Sequence, residues 1–221
     1  MGNNINIYLL KASDRIGPYL KLINETTERS IRKINVKIPL SNIDIVLYDN
    51  PLTIIKEIGI GGFAVRDHTI LVSFDPRLPA MKNIITEELP RTLAHELHHI
   101  VRRRSIGSKY TLLDVLVLEG LADHFDIEVF GQLPHPWSRA VLYKEKKSLI
   151  DLVKKEYNNK CDRKVYKEWF LGWGSRGIPR WSGYTVGFEI VKKYLKTYKK
   201  SKPSTLYNKD TKDFIDALKS L

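Results

Sequence analysis

Three residues near the middle of the chain, His95, Glu96 and His99, have the types and the spacing of a hydrolytic metal site. On an α-helix, residues four apart lie about 40° from each other around the axis, so His95 and His99 can direct both imidazoles at one ion. Glu96 is offset from His95 by about 100°, which puts its carboxylate within reach of a water on that ion. The spacing therefore predicts two zinc ligands and a general base.

A zinc site that keeps one position open for water needs a third protein ligand, and Glu119 is the candidate. It follows His99 by 20 residues, which leaves room for a helix end, a turn and a returning helix. The apolar residues on either side, 115–118 and 121–122, predict a buried helix. A carboxylate in such a stretch needs a partner, because an unpaired buried charge is costly, and a divalent metal is such a partner.

Two further residues, Asp123 and His98, are predicted to support the ligands. Asp123 follows Glu119 by four residues and so shares its helical face. Its carboxylate can accept the free N–H of a zinc-bound histidine, which fixes the tautomer of that ring. His98 is not used by the motif and is predicted to hydrogen-bond or pack around the site. The pair His95 and His98 is also geometrically conceivable, but it leaves His99 unexplained.

This pattern resembles the gluzincins, the zinc peptidases of the thermolysin type. Their signature is H-E-x-x-H followed by E-x-x-x-D on the next helix, and both segments are present, at positions 95–99 and 119–123. The resemblance implies a zincin-like fold, zinc as the cofactor and hydrolysis of peptide bonds. Leu118 stands where thermolysin-like enzymes have Asn, so contacts to substrate from that position are not expected.

The chain is most similar to an uncharacterised bacterial family described as predicted zinc-dependent proteases, with H-E-x-H-H and E-G-L-A segments and a later Gly-Tyr helix. The later segment is 182–191 here, and the resemblance spans roughly residues 60–197. It makes Tyr184 the candidate second donor to a developing oxyanion, because a phenol donates without carrying charge. A core tyrosine with a locally satisfied hydroxyl is the alternative. His68, His124 and His135 are expected to be surface or core residues.

Length and composition fit one compact enzyme. The 221 residues are 43% hydrophobic, enough to bury a large core. Cys161 is the single cysteine, which excludes an internal disulfide and indicates a reducing compartment. No signal peptide is apparent at the N-terminus, and no stretch approaches the ~20 apolar residues of a membrane span. We expect a cytoplasmic protein and make no prediction of its oligomeric state.

The net charge of +12 is the compositional feature that points away from hydrolysis. Such a charge can attract nucleic acid or anionic membranes. Most of the lysines are interrupted by acids or lie at amphipathic spacing, which is typical of solvated helix faces, so nucleic acid is not the expected partner. Arg102–Arg104 suits the negative end of the metal helix dipole, and binding of an acidic substrate is its alternative.

The predicted function is therefore a zinc peptidase in which Glu96 is the general base toward a peptide or protein substrate. Two other classes stay open. One is a zinc hydrolase that acts on a non-peptide substrate, which the same site chemistry permits. The other is a non-enzymatic basic protein that binds nucleic acid through its Lys-rich helices.

The elements that must position these residues follow from hydrophobic periodicity and turn signals. They are a helix over about 16–34, a strand over 43–48, a hairpin of 61–65 and 69–74, and a metal helix that begins between 86 and 90 and ends near 104.

This order predicts a zincin-like α+β fold. A small N-terminal mixed or antiparallel sheet, with an edge strand next to the metal helix, precedes a mainly α-helical C-terminal half. We expect a single domain over 1–221, with an α/β part over about 1–105 and a helical part over about 106–221. The edge strand could pair with an extended substrate, and Gly59, Gly61 and Gly62 would permit close approach. An ordinary hairpin with glycine turns fits the pattern equally well.

Overall fold

The computed structural model describes residues 4–108 and 110–221, which form two compact units. The first unit runs to Arg104 and includes Val129–Gly131, and the second comprises Ser105–Glu128 and Gln132–Leu221. The single domain over 1–221 stays a prediction. Among the described residues, no helix combines the length and the apolar character that crossing a membrane requires.

A four-stranded mixed sheet is the centre of the first unit, as the α+β prediction required. Its order is β1-β2-β4-β3, with β1, β2 and β4 parallel and β3 antiparallel to β4. The edge strands are therefore β1 and β3. The strands are β1 (Ile5–Leu9), β2 (Ile43–Asp49), β3 (Ile60–Ala64) and β4 (Thr69–Phe74).

The parallel pairing of β1 and β2 requires a crossover, and helix α1 (Leu20–Asn35) supplies it. A single 3-10 turn, Gly17–Tyr19, precedes α1 and takes the place of the first helical turn that the periodicity predicted. Along β2, Ile43, Ile45 and Leu47 are fully buried while the alternating residues are partly exposed. The sheet thus has one buried face, as period-two alternation implies.

The helix that carries His95 and His99 belongs to the first unit as far as Arg104. A short helix α2 (Met81–Asn83) and a π-helical turn (Ile84–Glu88) lead into helix α3 (Leu89–Ile106), close to the predicted bounds. Every residue from Leu89 to Arg102 is buried, which leaves no solvated face on this part of the helix. A helix buried on all sides must satisfy its polar side chains internally.

Helices make up the second unit. They are α4 (Leu112–Phe130, of which 112–128 belong to this unit), α5 (Tyr143–Glu156), α6 (Arg163–Tyr166), α7 (Ser182–Thr197) and α8 (Ile215–Lys219). Short 3-10 turns cover Pro136–Arg139, Pro203–Thr205 and Thr211–Phe214, and a π-helical turn covers Lys167–Leu171. One apolar core includes Leu116, Leu121, Trp169 and Ile190.

Two glycines bring the backbones of α4 and α7 into contact inside the second unit. A Cβ on Gly120 would lie 2.3 Å from the carbonyl oxygen of Gly187, and a Cβ on Gly187 would lie 2.2 Å from the carbonyl oxygen of Leu116. Neither position has space for a side chain. The glycine that follows Glu119 is therefore required by helix packing, and it sets the depth at which α4 is buried.

Candidate metal centre

The two predicted histidine ligands lie side by side on α3. The ring centroids of His95 and His99 are 4.5 Å apart and their planes are nearly perpendicular, at 86°. Both side chains are buried, with 8% and 6% of their surface exposed. The i, i+4 spacing has thus placed both imidazoles on one face of the helix, as the sequence predicted.

Glu96 is anchored to the edge strand. Its Oε2 accepts a hydrogen bond of 2.7 Å from the backbone N–H of Ala64, the last residue of β3. The strand can come this close because Gly62 has no side chain. A Cβ there would lie 2.9 Å from both Cγ and Oε1 of Glu96 and 2.6 Å from Cγ2 of Thr92. The glycine therefore serves the approach of β3 to α3, and the backbone of β3 aims the carboxylate.

The edge of β3 that faces away from β4 is partly occupied by the protein itself, since the C=O of Ile60 accepts the N–H of Ile55 at 3.0 Å. Both the N–H and the C=O of Ala64 point away from β4, since the first bonds Glu96 and the second accepts a bond from Arg103. Backbone groups in a strand alternate sides with period two, so the N–H and C=O of Gly62 lie on the same edge. The outward backbone groups of Gly62 and Ala64 are therefore the ones that lie next to Glu96.

Arginines after the histidines fasten α3 to the sheet. Arg103 donates to the carbonyls of Ala64 and Arg66 at 3.1 and 2.8 Å. Arg104 donates to the carbonyls of residues 41 and 42, and its Nη2 lies 2.8 Å from Nδ1 of His68. Binding of an acidic substrate by these two guanidinium groups would therefore compete with contacts that hold the hairpin. The same contact gives His68 a protein partner.

Glu119 and Asp123 lie one turn apart on α4, and both are buried. The Asp123 carboxylate accepts the Nε1–H of Trp137 at 3.1 and 3.2 Å and the hydroxyl of Ser138 at 2.8 Å. These donors belong to the 3-10 turn after α4, so the carboxylate fixes that turn. Its predicted hydrogen bond to a zinc ligand stays a prediction.

The other histidines of the second unit have partners that account for them. His124 stacks on Phe188 at 4.0 Å and bonds its carbonyl at 3.0 Å, and burial lowers the pKa of the imidazole. Nε2 of His135 lies 2.7 Å from the Asp126 carboxylate, and the ring stacks on Trp137 at 4.2 Å. Both fit the expectation of core residues.

Tyr184 lies in the first turn of α7, in aromatic surroundings. Its ring meets Phe170 edge-on at 5.0 Å, and its hydroxyl is 3.4 Å from that of Tyr166. Burial raises the pKa of Tyr184 well above its usual value, and the negative charge of Glu119 raises it further. The phenol is therefore neutral at physiological pH and able to donate, and it lies within the electrostatic reach of the predicted third ligand.

The donor atoms of His95, His99 and Glu119 converge. Each residue offers one ligand atom, and these atoms all lie within 4.8 Å of one another. Ligands that bind one zinc ion at about 2.0–2.2 Å lie roughly 3.3 Å apart in a tetrahedral site. Two imidazoles and one carboxylate are the donor set of hydrolytic zinc sites. The structure thus contains a buried cluster that could hold a metal ion.

His98, the other predicted supporting residue, lies fully buried in α3, and its role stays a prediction. Sequence reasoning missed the Ala64 amide that holds Glu96, the Trp137 and Ser138 donors to Asp123, and the hydroxyl of Tyr166. A backbone N–H carries no sequence signal, and the other three residues are brought in by tertiary packing. The sequence shows only how many residues separate two partners, and that separation predicts none of these contacts.

An α+β protein with such a cluster belongs to the class of candidate metalloproteins. A family profile described as "Predicted Zn-dependent protease (DUF2268)" matches residues 20–216. The chain belongs to this family. The family description agrees with the resemblance inferred from the segments 95–99 and 119–123. The matched range includes both segments.

Relatives in Bacillus subtilis (strain 168) match part of the chain. The "Uncharacterized protein YjaZ" is 30% identical over 131 residues, which cover 57% of this chain and 49% of that protein. The "Uncharacterized protein YjfC" is 29% identical over 118 residues, which cover 48% of this chain and 40% of that protein. The matched region thus spans half or less of the length of these relatives. No solved structure matches the chain significantly.

Proposed function

We propose that this protein is a zinc-dependent peptidase of the gluzincin type, with a zincin-like arrangement of the metal helix and the edge strand. The observation that carries the proposal is that one ligand atom from each of His95, His99 and Glu119 lies within 4.8 Å of the others, with Glu96 anchored by β3. The family description supports the same chemistry. Cytoplasmic residence and a peptide or protein substrate are parts of this proposal.

His95, His99 and Glu119 would hold the zinc, and three protein ligands leave one position for water or substrate. When bound, zinc supplies a Lewis acid that lowers the pKa of water to about 7 and polarises a carbonyl. The burial of the three side chains keeps their donor atoms from competing water. Asp123 and His98 are assigned to support the ligands through hydrogen bonds or packing.

Glu96 is the general base. One carboxylate oxygen is held by the Ala64 amide at 2.7 Å, which fixes the direction of the other. In the proposed reaction the carboxylate takes a proton from the attacking water and returns it to the leaving amine. A base must lie within hydrogen-bond reach of the proton that it moves, and the bond to β3 restricts Glu96 to one orientation.

The edge of β3 supports a peptide over other substrates. Pairing with an extended chain is proposed at the outward N–H and C=O of Gly62 alone, because the outward groups of Ala64 bond Glu96 and Arg103 and the C=O of Ile60 accepts from Ile55. Main-chain pairing binds peptides with little regard to their side chains. Tyr184 is assigned as the second donor to the oxyanion, because its raised pKa keeps the hydroxyl protonated. Tyr166, at 3.4 Å, is the hydroxyl that can orient it.

Metal analysis and a peptide-cleavage screen of matched variants test the proposal. The purified protein should carry about one zinc per chain. Glu96→Gln should retain the zinc while hydrolysis falls by a factor on the order of a hundred or more. Glu87→Gln makes the same chemical change at an exposed position just before α3 and should change neither.

Loss of zinc from the Glu96→Gln protein, or unchanged turnover, would remove Glu96 from the role of base. Cleavage of esters but of no peptide in a parallel screen would retain the metal chemistry and replace the substrate. A protein that binds no zinc would end the proposal.

A further inference from the structure

A basic cleft in the second unit contains three cations and one indole. Arg163, Lys164, Lys167 and Trp173 line it, and its volume is about 470 Å³. It is an open depression of the surface and not an enclosed cavity. Trp173 has 66% of its surface exposed. Such exposure is unusual for tryptophan, which has the largest apolar side chain.

Lys167 and Trp173 are held together across the cleft. The backbone N–H of Trp173 donates to the carbonyl of Lys167 at 3.1 Å, and Gly172 between them adopts a φ of +72°. The Lys167 ammonium lies 5.5 Å from the centre of the indole ring. The chain thus places an exposed aromatic face beside a positive charge in a fixed turn.

The neighbouring acids are engaged elsewhere. The Asp162 carboxylate caps α6 by accepting the backbone N–H groups of residues 164 and 165. Glu168 forms its ion pair with Arg176, and the charge of Lys164 acts on it only at longer range. Within the described part of the chain, no ion pair joins a carboxylate to Arg163, Lys164 or Lys167. The cleft therefore presents three cations whose charge the protein does not balance by direct pairing.

Tyr166 connects the segment that carries the cleft lysines to helix α7. Tyr166 lies on α6 between Lys164 and Lys167, and its hydroxyl is 3.4 Å from that of Tyr184. The Tyr184 phenol in turn lies within the electrostatic reach of Glu119. The tyrosine pair thus joins the segment that carries the cleft lysines to a residue influenced by Glu119.

We propose that this cleft binds an acidic side chain or short acidic stretch of the peptide substrate. The inference rests on the proposed peptidase function and names its substrate class. Nucleic acid is the competing ligand, because cations and an indole also suit phosphates and bases. The size of the cleft favours the peptide, since nucleic-acid sites neutralise many phosphates along a track.

Binding to the catalytically inactive Glu96→Gln protein tests this without any need for turnover. The probes are two fluorescein-labelled peptides of equal length, one with a central Glu-Glu and one with Gln-Gln. The protein should bind the Glu-Glu peptide more tightly. Adding Lys164→Gln and Lys167→Gln should weaken that binding roughly five- to tenfold and leave the Gln-Gln peptide unaffected, since exposed charge pairs are individually weak.

Lys199→Gln with Lys200→Gln is the matched control, because it removes the same charge from two exposed lysines outside the cleft. Equal weakening by the control pair would reduce the effect to net charge and overturn the proposal. Equal affinity for the two peptides would also overturn it. A third probe is a labelled single-stranded oligonucleotide. If the protein binds it and neither peptide, and if Lys164→Gln with Lys167→Gln abolishes that binding, the cleft is a nucleic-acid site. Peptide binding by the inactive protein stays measurable even if the wild-type protein cleaves nothing, so the two proposals fail separately.

Discussion

Gly62→Ala is the substitution that most directly tests how the strand positions the base. The new Cβ would lie 2.9 Å from Cγ and Oε1 of Glu96 and 2.6 Å from Cγ2 of Thr92. Ordinary contact begins near 3.4 Å, so the strand and the helix must separate by about 0.5–0.8 Å. The 2.7 Å bond from the Ala64 amide to Glu96 lies beside this contact and would lengthen or rotate.

The expected cost has two parts. Overpacking of a buried contact costs about 1–3 kcal/mol, which corresponds to a fall in Tm of roughly 2–12 °C for a protein of this size. A displacement approaching 1 Å in a catalytic group can cost as much as a hundredfold in rate. We therefore expect hydrolysis to fall about ten- to a hundredfold. Zinc content should be unchanged, because the atoms nearest to the added methyl group belong to Thr92 and Glu96 and not to a proposed ligand.

Peptidase rate, zinc content and thermal unfolding of the purified variant check these numbers. Gly17→Ala is the control, since its Cβ would meet no atom within 4 Å and its φ is not positive. This control should keep both rate and Tm. Full activity and full stability in Gly62→Ala would show that β3 does not aim Glu96, and the reasoning about the strand would be wrong.

Two more predictions concern the third ligand and acid stability. Glu119→Ala should lose most of its zinc by metal analysis, because two histidines alone bind zinc weakly; full retention would move the third ligand elsewhere. Hydrogen bonds from Arg176 hold the pKa of Glu168 below its usual value, so this stabilisation is present above the ordinary carboxylate range and lost as pH falls through the depressed pKa. Arg176→Gln should lower the free energy of unfolding by about 1–3 kcal/mol at pH 7, and urea denaturation near pH 3 should show a smaller difference from wild type. An equal difference at both pH values would contradict this account.

The metal helix and part of the sheet could be predicted from sequence because their signals are local. Residues 69–74 are mainly apolar and follow the turn residues 66–68, and the structure has β4 at those residues. The four-residue spacing of His95 and His99 sufficed to place both rings on one face. β1 was missed although Ile5, Ile7 and Leu9 alternate, since a five-residue strand near the terminus has meaning only through its pairing with β2.

Other features depend on tertiary contacts that no local pattern encodes. Gly120 is part of the E-G-L-A segment, but the reason for a glycine there is the Gly187 carbonyl, 67 positions later. The glycines of β3 were expected to permit either close approach of a substrate or an ordinary hairpin. In the structure Gly62 permits the close approach of α3, and Gly61 permits that of the Thr53 carbonyl, which would be 2.1 Å from an added Cβ. The glycines thus predicted a close approach at these positions, but the sequence did not predict which part of the chain approaches.

Asp123 is the residue for which fold and chemistry are hardest to separate, since its carboxylate anchors Trp137 and Ser138 and is also assigned to a zinc ligand. Asp123→Asn retains one oxygen for the indole N–H, and the Ser138 hydroxyl can rotate to accept from the new amide. Ser138→Ala keeps the charge and removes one donor.

The two substitutions should therefore have opposite profiles. Ser138→Ala should lower the free energy of unfolding by about 1.5–3 kcal/mol, the value of a hydrogen bond to a charged group, and leave zinc affinity close to wild type. Asp123→Asn should be the milder change for stability and the stronger one for zinc, with affinity or activity reduced roughly ten- to a hundredfold. Chelator titration gives the concentration that halves activity, and urea denaturation gives the stability of each protein. Equal chelator midpoints for Asp123→Asn and wild type would leave the carboxylate as an anchor of the 3-10 turn alone, because a charge that orients a ligand cannot be removed without weakening that ligand.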